Sequence, residues 1–406
     1  MNTPEHNNSK KNLLFIYPSM IVGGSTTSLL SFMNSLDPEK YNIDLQLFRN
    51  EGPLFSAIPP HVNVLPCAEK YTGKKGRIIK ILKCVLKGYA FKALFRGIRT
   101  KSKGLMSRGE LTTFQAKELC RKNVKKYDFA IGFLEGWSDR YLAYCVNAGV
   151  KYAWLHSTFA NITSDPGVEL PWMKKVDKIV FVTDPCKNDF DKSVPEMAHK
   201  TITVANVTDS RIIRSRALDI DPTDNEYNRF VCADAFKLIT VCRITMSVKG
   251  LDRIVNCASE LKKRGFNFLW YIIGAGDDRD ALVELIKAHG VEDCVVSIGQ
   301  RMNPHPFIAA ADVMCMPSRY EGKPMTVTES MILGTPPVVT AYLSAHEQIN
   351  NGTDGIVVEN ADDTIIPALE RCISDRALLQ QIKTQLLDGE YGNQHQVAEI
   401  EKTLFD

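Results

Sequence analysis

The chain has 406 residues, 44% of them hydrophobic and 24% charged, with a formal net charge of +3. That length exceeds one ordinary core and predicts two domains of roughly 150 to 200 residues. The composition excludes a disordered chain, and no run supplies the ~20 uninterrupted apolar residues of a membrane-spanning helix. The start, MNTPEHNNSKKN, lacks the apolar core of an export signal, so a cytoplasmic protein is expected. Eleven cysteines lie singly, with no CxxC pair, and several sit inside apolar runs such as "LITVC" and "DVMCM". They are expected to be reduced thiols rather than a disulfide or zinc framework.

"NLLFIYPSM", residues 12–20, reads as a buried strand. "IVGG" follows, with Gly23 and Gly24, and then "STTSLLSFMNSL" puts Leu29, Phe32, Met33 and Leu36 on one helical face. Strand, glycine turn and helix open a βαβ unit. "YNIDLQLF" is a second strand, and 127–134, 151–157, 176–183 and 200–207 are further strand candidates. His156 stands at the end of one of them, in "YAWLHS".

Between the second strand and residue 127 lies a basic segment. Residues 70–109 hold thirteen lysines and arginines and no acidic residue, so the rest of the chain carries a net −10. "KKGRIIKILKCVLKGYAFKALFRGIRTK" sets Ile78, Ile79, Ile81, Leu82, Val85 and Leu86 at helical spacing between lysines. A basic amphipathic stretch of this sort suits an anionic membrane surface. A solvated helix packed on its own domain stays open beside that reading. Nucleic acid is not expected as a partner, because aromatics for base stacking are few.

After "DIDPTDNEYNRF" the pattern restarts with strand "FKLITVCRI", helix "GLDRIVNCASELKKRG", strand "FLWYIIGAG" and helix "DRDALVELIKAHG". Strand "CVVSIGQ", short helix "HPFIAAA", strand "DVMCMPS", helix "VTESMILG", strand "PPVVTAY" and a strand near "DGIVVE" complete it. The fold class expected is α/β, with two Rossmann-like doubly wound parallel sheets facing across a cleft.

Three pieces of this second half follow strands. "CRITMSVKG" places Arg243 and Lys249 on a turn ahead of a helix, where point charge, forked donors and free N–H groups suit a diphosphate. Two solvated loop cations would look the same in isolation. "IIGAGDD" gives Gly274 and Gly276, a weak GxG signal. "SRYEGKPMTVTES" sets Glu321 and Glu329 eight residues apart. There Gly322 lets backbone approach a ligand, and Met325, Thr326 and Val327 would offer N–H groups at the head of a helix. Glu329, one turn in, is placed to accept both hydroxyls of a ribose.

The block 238–359 resembles the carboxyl-terminal domain of glycosyltransferase family 4, retaining GT-B enzymes that use nucleotide sugars. "RITMSVKG", "YIIGAGDD", "AADVMCMPSRYEGKPMTVTESMILGTPPVV" and "EQINNGTDGIVVEN" carry the likeness, and "IYPSMIVGGSTTSLLSFM" and "WLHSTF" resemble the amino-terminal domain more loosely. The expected division is an acceptor-binding domain at 11–205, a nucleotide-sugar domain at 206–385 and a polar, helix-prone tail at 386–406, for which packing back on the first domain stays open. The resemblance implies that Arg243 and Lys249 bind the donor diphosphate, that Glu321 faces the donor sugar and that Thr326 and Val327 give N–H groups to phosphate. Glu329 would hold the ribose, Gly23 and Gly24 would approach donor phosphate or acceptor, and His156 would sit beside the reacting sugar. Two features depart from the family pattern. Ser344 and Ala345 stand where glycines are usual, and Lys323 replaces a residue that is often apolar.

The expectation is therefore retaining transfer from a nucleotide sugar, a UDP-sugar, to a glycan acceptor, lipid-linked, in bacterial capsule or surface-polysaccharide assembly. The enzyme would be peripheral at the inner face of the membrane, held there by residues 70–109. No cofactor is expected, since the nucleotide sugar is a substrate and no DxD cluster occupies a suitable loop. The alternatives are a non-catalytic sugar-nucleotide or membrane-binding protein on the same scaffold, and a GT-B sugar-nucleotide epimerase. A Rossmann dehydrogenase is disfavoured because "GGSTTS" lacks the third glycine of GxGxxG.

Overall fold

The computed structural model describes residues 10–71, 73–86, 107–162 and 166–405. The chain divides into two compact units, Met1–Asn206 with Val397–Asp406, and Val207–Gln396.

The first unit is built on a seven-stranded sheet in the order β3-β2-β1-β4-β5-β6-β7. Its strands are β1 Lys11–Tyr17, β2 Tyr41–Leu47, β3 Val62–Val64, β4 Lys126–Gly132, β5 Asn147–Leu155, β6 Lys178–Phe181 and β7 Thr201–Thr203. Every pairing is parallel, with Leu13 opposite Ile43 on one side and Phe129 on the other. Parallel strands need crossovers, so both faces are covered and the central strands read as unbroken apolar runs. Leu13, Leu14, Phe15 and Ile16 accordingly have no exposure. Phe15, Phe32, Phe133 and Trp154 pack together on one face, with ring centroids 4.9 to 6.3 Å apart. Strand β3 has no counterpart in the sequence reading, because three residues are too few to show an alternation.

The last helix, Val397–Phe405, belongs to this first unit. Phe405 stacks its ring 5.4 Å from Tyr41 and 5.1 Å from Phe129. Lys11 and Tyr152 donate to the Phe405 and Leu404 carbonyls. Helix Arg376–Asp388 stays with the second unit, where it buries Leu379, Ile382 and Leu386, so the last division falls at 396/397.

Of the basic segment, helix Gly73–Leu86 is described, and residues 87–106 lie outside the described residues. Lys80 bonds the buried Glu69, and Lys83 lies 3.8 Å from Glu118. These lysines face the protein while Ile78, Ile79 and Leu82 are exposed, at 60%, 37% and 54%. Lys74 and Lys75 are exposed at the start of the same helix.

The second unit carries a six-stranded parallel sheet in the order β10-β9-β8-β11-β12-β13. Its strands are β8 Phe236–Val241, β9 Phe268–Ile273, β10 Val295–Gly299, β11 Val313–Met316, β12 Pro337–Thr340 and β13 Ile356–Val358. Strand β9 shows why its sequence is apolar throughout. Phe268, Trp270 and Ile272 enter one core, and Leu269, Tyr271 and Ile273 enter the other. The strand order reverses at β8, which is flanked by β9 and β11, so the loops leaving β8 and β11 emerge side by side. Among the described residues no helix is long and apolar enough to cross a membrane.

Candidate functional site

Arg243 and Lys249 leave β8, and Glu321 leaves β11, at that reversal point. The two loops are strapped together. The Arg319 N–H donates to the Val248 carbonyl at 2.8 Å, and the Arg319 guanidinium forks onto Asp252 at 2.8 and 2.7 Å. Arg253 donates to the Pro317 carbonyl at 3.1 Å. Between them Gly250 adopts φ +62, and a Cβ there would lie 2.2 Å from the Pro317 oxygen, so only glycine permits the approach.

Lys249 Nζ donates to Glu321 Oε1 at 2.6 Å, and Ser318 Oγ donates to the same oxygen at 2.7 Å. Glu321 is buried, while Arg243 is exposed and, among the described residues, has no ion-pair partner. Two cations and one anchored carboxylate thus share one edge of the sheet. Asp278, from "GAGDD", accepts the Met246 N–H at 2.8 Å and so fixes the turn that carries Lys249. Sequence reasoning missed that support, because an Asp after a glycine turn has no periodic signature.

Gly274 owes its identity to packing. A Cβ at 274 would meet the Cys242 carbonyl oxygen at 1.9 Å, and Gly276 meets Ile244 at 2.1 Å in the same way. Both glycines let the ends of β8 and β9 close on one another.

Helix Met325–Ile332 follows the Glu321 loop, with Pro324 at its N-cap. Its first turn corrects one expectation. The Val327 N–H is turned onto the Pro324 carbonyl at 3.2 Å, which leaves the Met325 and Thr326 N–H groups as the ones at the helix head. Gly322 is buried, and its carbonyl accepts a hydrogen bond from Ser344 Oγ. Gln348 Nε2 donates to the Pro324 carbonyl at 3.0 Å and to Thr328 at 2.8 Å, and Tyr342 steadies Gln348 at 2.7 Å. The segment with serine in place of glycine therefore braces the loop. Lys323 lies 3.9 Å from Glu347 on the same segment.

Glu329 is 4% exposed, and His305 Nε2 lies 3.6 Å from its Oε2. His305 was not singled out in the sequence, since a histidine at the start of a short apolar helix has no distinguishing pattern.

In the first unit, Gly23 and Gly24 follow β1, with Gly23 as the N-cap of helix Gly24–Ser35. Gly23 is extended at φ 171, a Cβ there would meet open space, and its carbonyl accepts from the Thr27 N–H at 3.0 Å. His156 follows β5, next to β4 in the sheet. Its backbone N–H donates to Glu135 Oε2 at 3.0 Å, and its Nε2 lies 3.1 Å from the Phe133 carbonyl. A carbonyl accepts only, so Nε2 carries the hydrogen and Nδ1 keeps its lone pair in the neutral ring. Loss of solvent around the ring lowers the His156 pKa from 6.5, against the opposing pull of Glu135 and the Phe133 carbonyl. Glu135 leads into Gly136, at φ +105, whose N–H is accepted by Asp139 at 3.2 Å. Glu135 is a second group that the sequence reading did not single out.

No disulfide joins the ten described cysteines, and burial pushes the Cys242 thiol, beside the Lys249 loop, up to about 12.

Residues 233–386 match the glycosyl transferases group 1 family. This stretch covers both strapped loops, Glu329 and His305. Over part of the same chain, an alpha-D-kanosaminyltransferase of Streptomyces kanamyceticus is 32% identical over 144 residues, 33% of this chain and 36% of that protein. The lipopolysaccharide core biosynthesis glycosyltransferase LpsE of Rhizobium meliloti is 32% identical over 112 residues, 27% of this chain and 33% of that protein. An uncharacterised glycosyltransferase of Haemophilus influenzae is 27% identical over 150 residues, 36% of this chain and 42% of that protein. The chain thus spans less than half the length of the curated relatives it matches. Among solved structures, Anabaena HepE in complex with UDP-glucose superposes with a TM-score of 0.66 at 14% identity, covering 97% of this chain and 100% of that one. WaaG, a glycosyltransferase involved in lipopolysaccharide biosynthesis, gives 0.62 at 13% identity, covering 97% and 99%. These likenesses establish the fold, that of the GT-B glycosyltransferases.

Proposed function

We propose that this protein is a glycosyltransferase that moves a sugar from a UDP-sugar to a glycan acceptor, lipid-linked, in bacterial surface-polysaccharide assembly. The observation that carries the reading is the Arg243–Lys249 loop strapped beside Glu321 at the strand-order reversal of the second unit. The family match over 233–386 supports it, as do relatives whose names place them in lipopolysaccharide and O-antigen biosynthesis. UDP and UDP-glucose are named in the HepE complexes, which is the ground for choosing uridine.

In this reading Arg243, Lys249 and the N–H groups of Met325 and Thr326 neutralise the departing diphosphate in place of a metal ion. Glu321 accepts hydroxyls of the sugar, and Glu329 accepts those of the ribose. Gly23 and Gly24 offer backbone to donor phosphate or acceptor. His156 Nδ1, a lone pair in a neutral ring, accepts a sugar hydroxyl hydrogen. Retention of anomeric configuration follows if the acceptor hydroxyl enters on the face the phosphate leaves, its proton passing to that phosphate. The exposed Ile78, Ile79 and Leu82 with Lys74 and Lys75 suit an anionic membrane interface where a lipid-linked acceptor lies.

The test is transfer and donor hydrolysis by wild type and Glu329→Ala, with UDP-, GDP- and ADP-sugars, with and without EDTA, on anionic vesicles. Turnover that survives EDTA, falls at least tenfold in the variant and is lost from vesicles when Lys74 and Lys75 become glutamate is expected. No turnover with any nucleotide sugar points to a non-catalytic binder, and release of an altered free sugar nucleotide points to an epimerase.

A further inference from the structure

Within helix His305–Ala310 of the second unit, His305 is 2% exposed, and its Nε2 is a buried atom with no hydrogen-bond partner. Its other nitrogen is fully specified. Asn303 Nδ2 donates to the Arg216 carbonyl at 2.7 Å and to the Asp219 carbonyl at 3.2 Å. That fixes the amide, so Asn303 Oδ1 faces His305 Nδ1 at 2.8 Å and accepts its hydrogen. The ring is therefore held from behind, with Nε2 pointing at Glu329.

Nε2 stops 3.6 Å from Glu329 Oε2, just beyond hydrogen-bond reach. Among the described residues no hydrogen bond reaches either oxygen of this carboxylate, which is nearly as buried as the imidazole. A buried ring nitrogen that misses its bond is costly and asks for a reason. One proton between Nε2 and Oε2 satisfies both atoms once the carboxylate moves by about the ~0.6 Å that separates 3.6 Å from a normal bond. That shift would commit Oε2 to His305 and leave Oε1 as the acceptor for a ligand.

We infer that His305 is the positioning residue for Glu329, holding Oε2 so that Oε1 reads the ribose hydroxyls of the donor nucleotide. This rests on the proposal that Glu329 binds ribose. It adds that recognition of the hydroxyls passes through an imidazole fixed by Asn303. The role is one of geometry, since His305 acts through Glu329 rather than on the nucleotide.

The experiment is calorimetric titration of the full chain with uridine, guanosine and adenosine diphosphates and their 2′,3′-dideoxy forms, using the base that wild type binds best. Wild type should prefer the ribonucleotide. Glu329→Gln should lose most of that preference, and His305→Phe, which keeps a ring but no nitrogen, should lose about tenfold of it while binding the dideoxy form as wild type does. His305→Gln, whose amide still reaches Oε2, should restore the preference. Unfolding midpoints without ligand report whether each variant folds. If His305→Phe weakens both nucleotides equally, or leaves the preference intact while Glu329→Gln abolishes it, the positioning role is overturned. If Glu329→Gln also leaves the preference intact, or no nucleotide binds wild type, the ribose assignment itself falls.

Discussion

Lys249→Met removes the ammonium that lies 2.6 Å from Glu321 Oε1 and keeps the length of the stem. The two side chains are 19% and 9% exposed, so the pair is largely out of water. With the lysine gone, Ser318 Oγ at 2.7 Å is the hydrogen-bond donor left to the carboxylate among the described residues. A charge-assisted bond lost from a mostly buried carboxylate costs about 2 kcal/mol. For a unit the size of Val207–Gln396 that lowers the unfolding midpoint by roughly 4 to 8 °C. Adding Glu321→Gln removes the stranded charge while an oxygen stays to accept from Ser318, so the double variant should recover most of the loss. Nucleotide binding should behave differently. The cation itself is missing from both variants, and the stabilisation by UDP, GDP or ADP should shrink in each. Thermal unfolding with and without nucleotide reads both effects in one plate. A Lys249→Met protein that melts like wild type, or keeps the full nucleotide shift, would refute the double duty of this lysine.

Gly250→Ala should destabilise the second unit by more than about 2 kcal/mol, because it combines φ +62 with a Cβ at 2.2 Å from the Pro317 oxygen. An unchanged urea midpoint would show that the two loops are not locked through this contact. His156 should make stability pH-dependent. Its folded pKa lies below its ordinary 6.5, so the unfolded chain takes the proton first as pH falls. Stability is then full above about pH 6.5 and declines below it by at most ~1.4 kcal/mol per pH unit. His156→Asn should flatten that decline between pH 6.5 and 5, and a variant with the wild-type slope would place its origin elsewhere.

The strands of the second sheet were legible because they are predominantly apolar, most fully in β9, whose alternate residues enter two cores. Arg243, Lys249, Glu321 and Glu329 were legible because strand, turn and helix fix where a residue emerges. The same local logic could not see groups placed by distant chain. His305 meets Glu329 only because Asn303 is tied to carbonyls some 85 residues earlier, at Arg216 and Asp219. Ser344 stands where a glycine is usual, and the structure gives it a bond that pattern alone does not show, to the Gly322 carbonyl. Val327 shows the limit of counting helix-head N–H groups, since its turn closes on Pro324. Gly274 fits a ligand turn by pattern, and the structure adds a packing reason for glycine, the Cys242 carbonyl oxygen 1.9 Å from where a Cβ would stand.

The bonds from Ser344 and Gln348 to residues 322–328 have one more consequence. The loop behind Glu321 is ordered on folding, so little conformational freedom is left for a ligand to remove. Its main chain is then a fixed frame on which side chains are mounted. Lys323 and Glu347, facing each other at 3.9 Å, are such mountings. Neither of these two charges belongs to the bonds from Ser344 Oγ and Gln348 Nε2 that hold the loop.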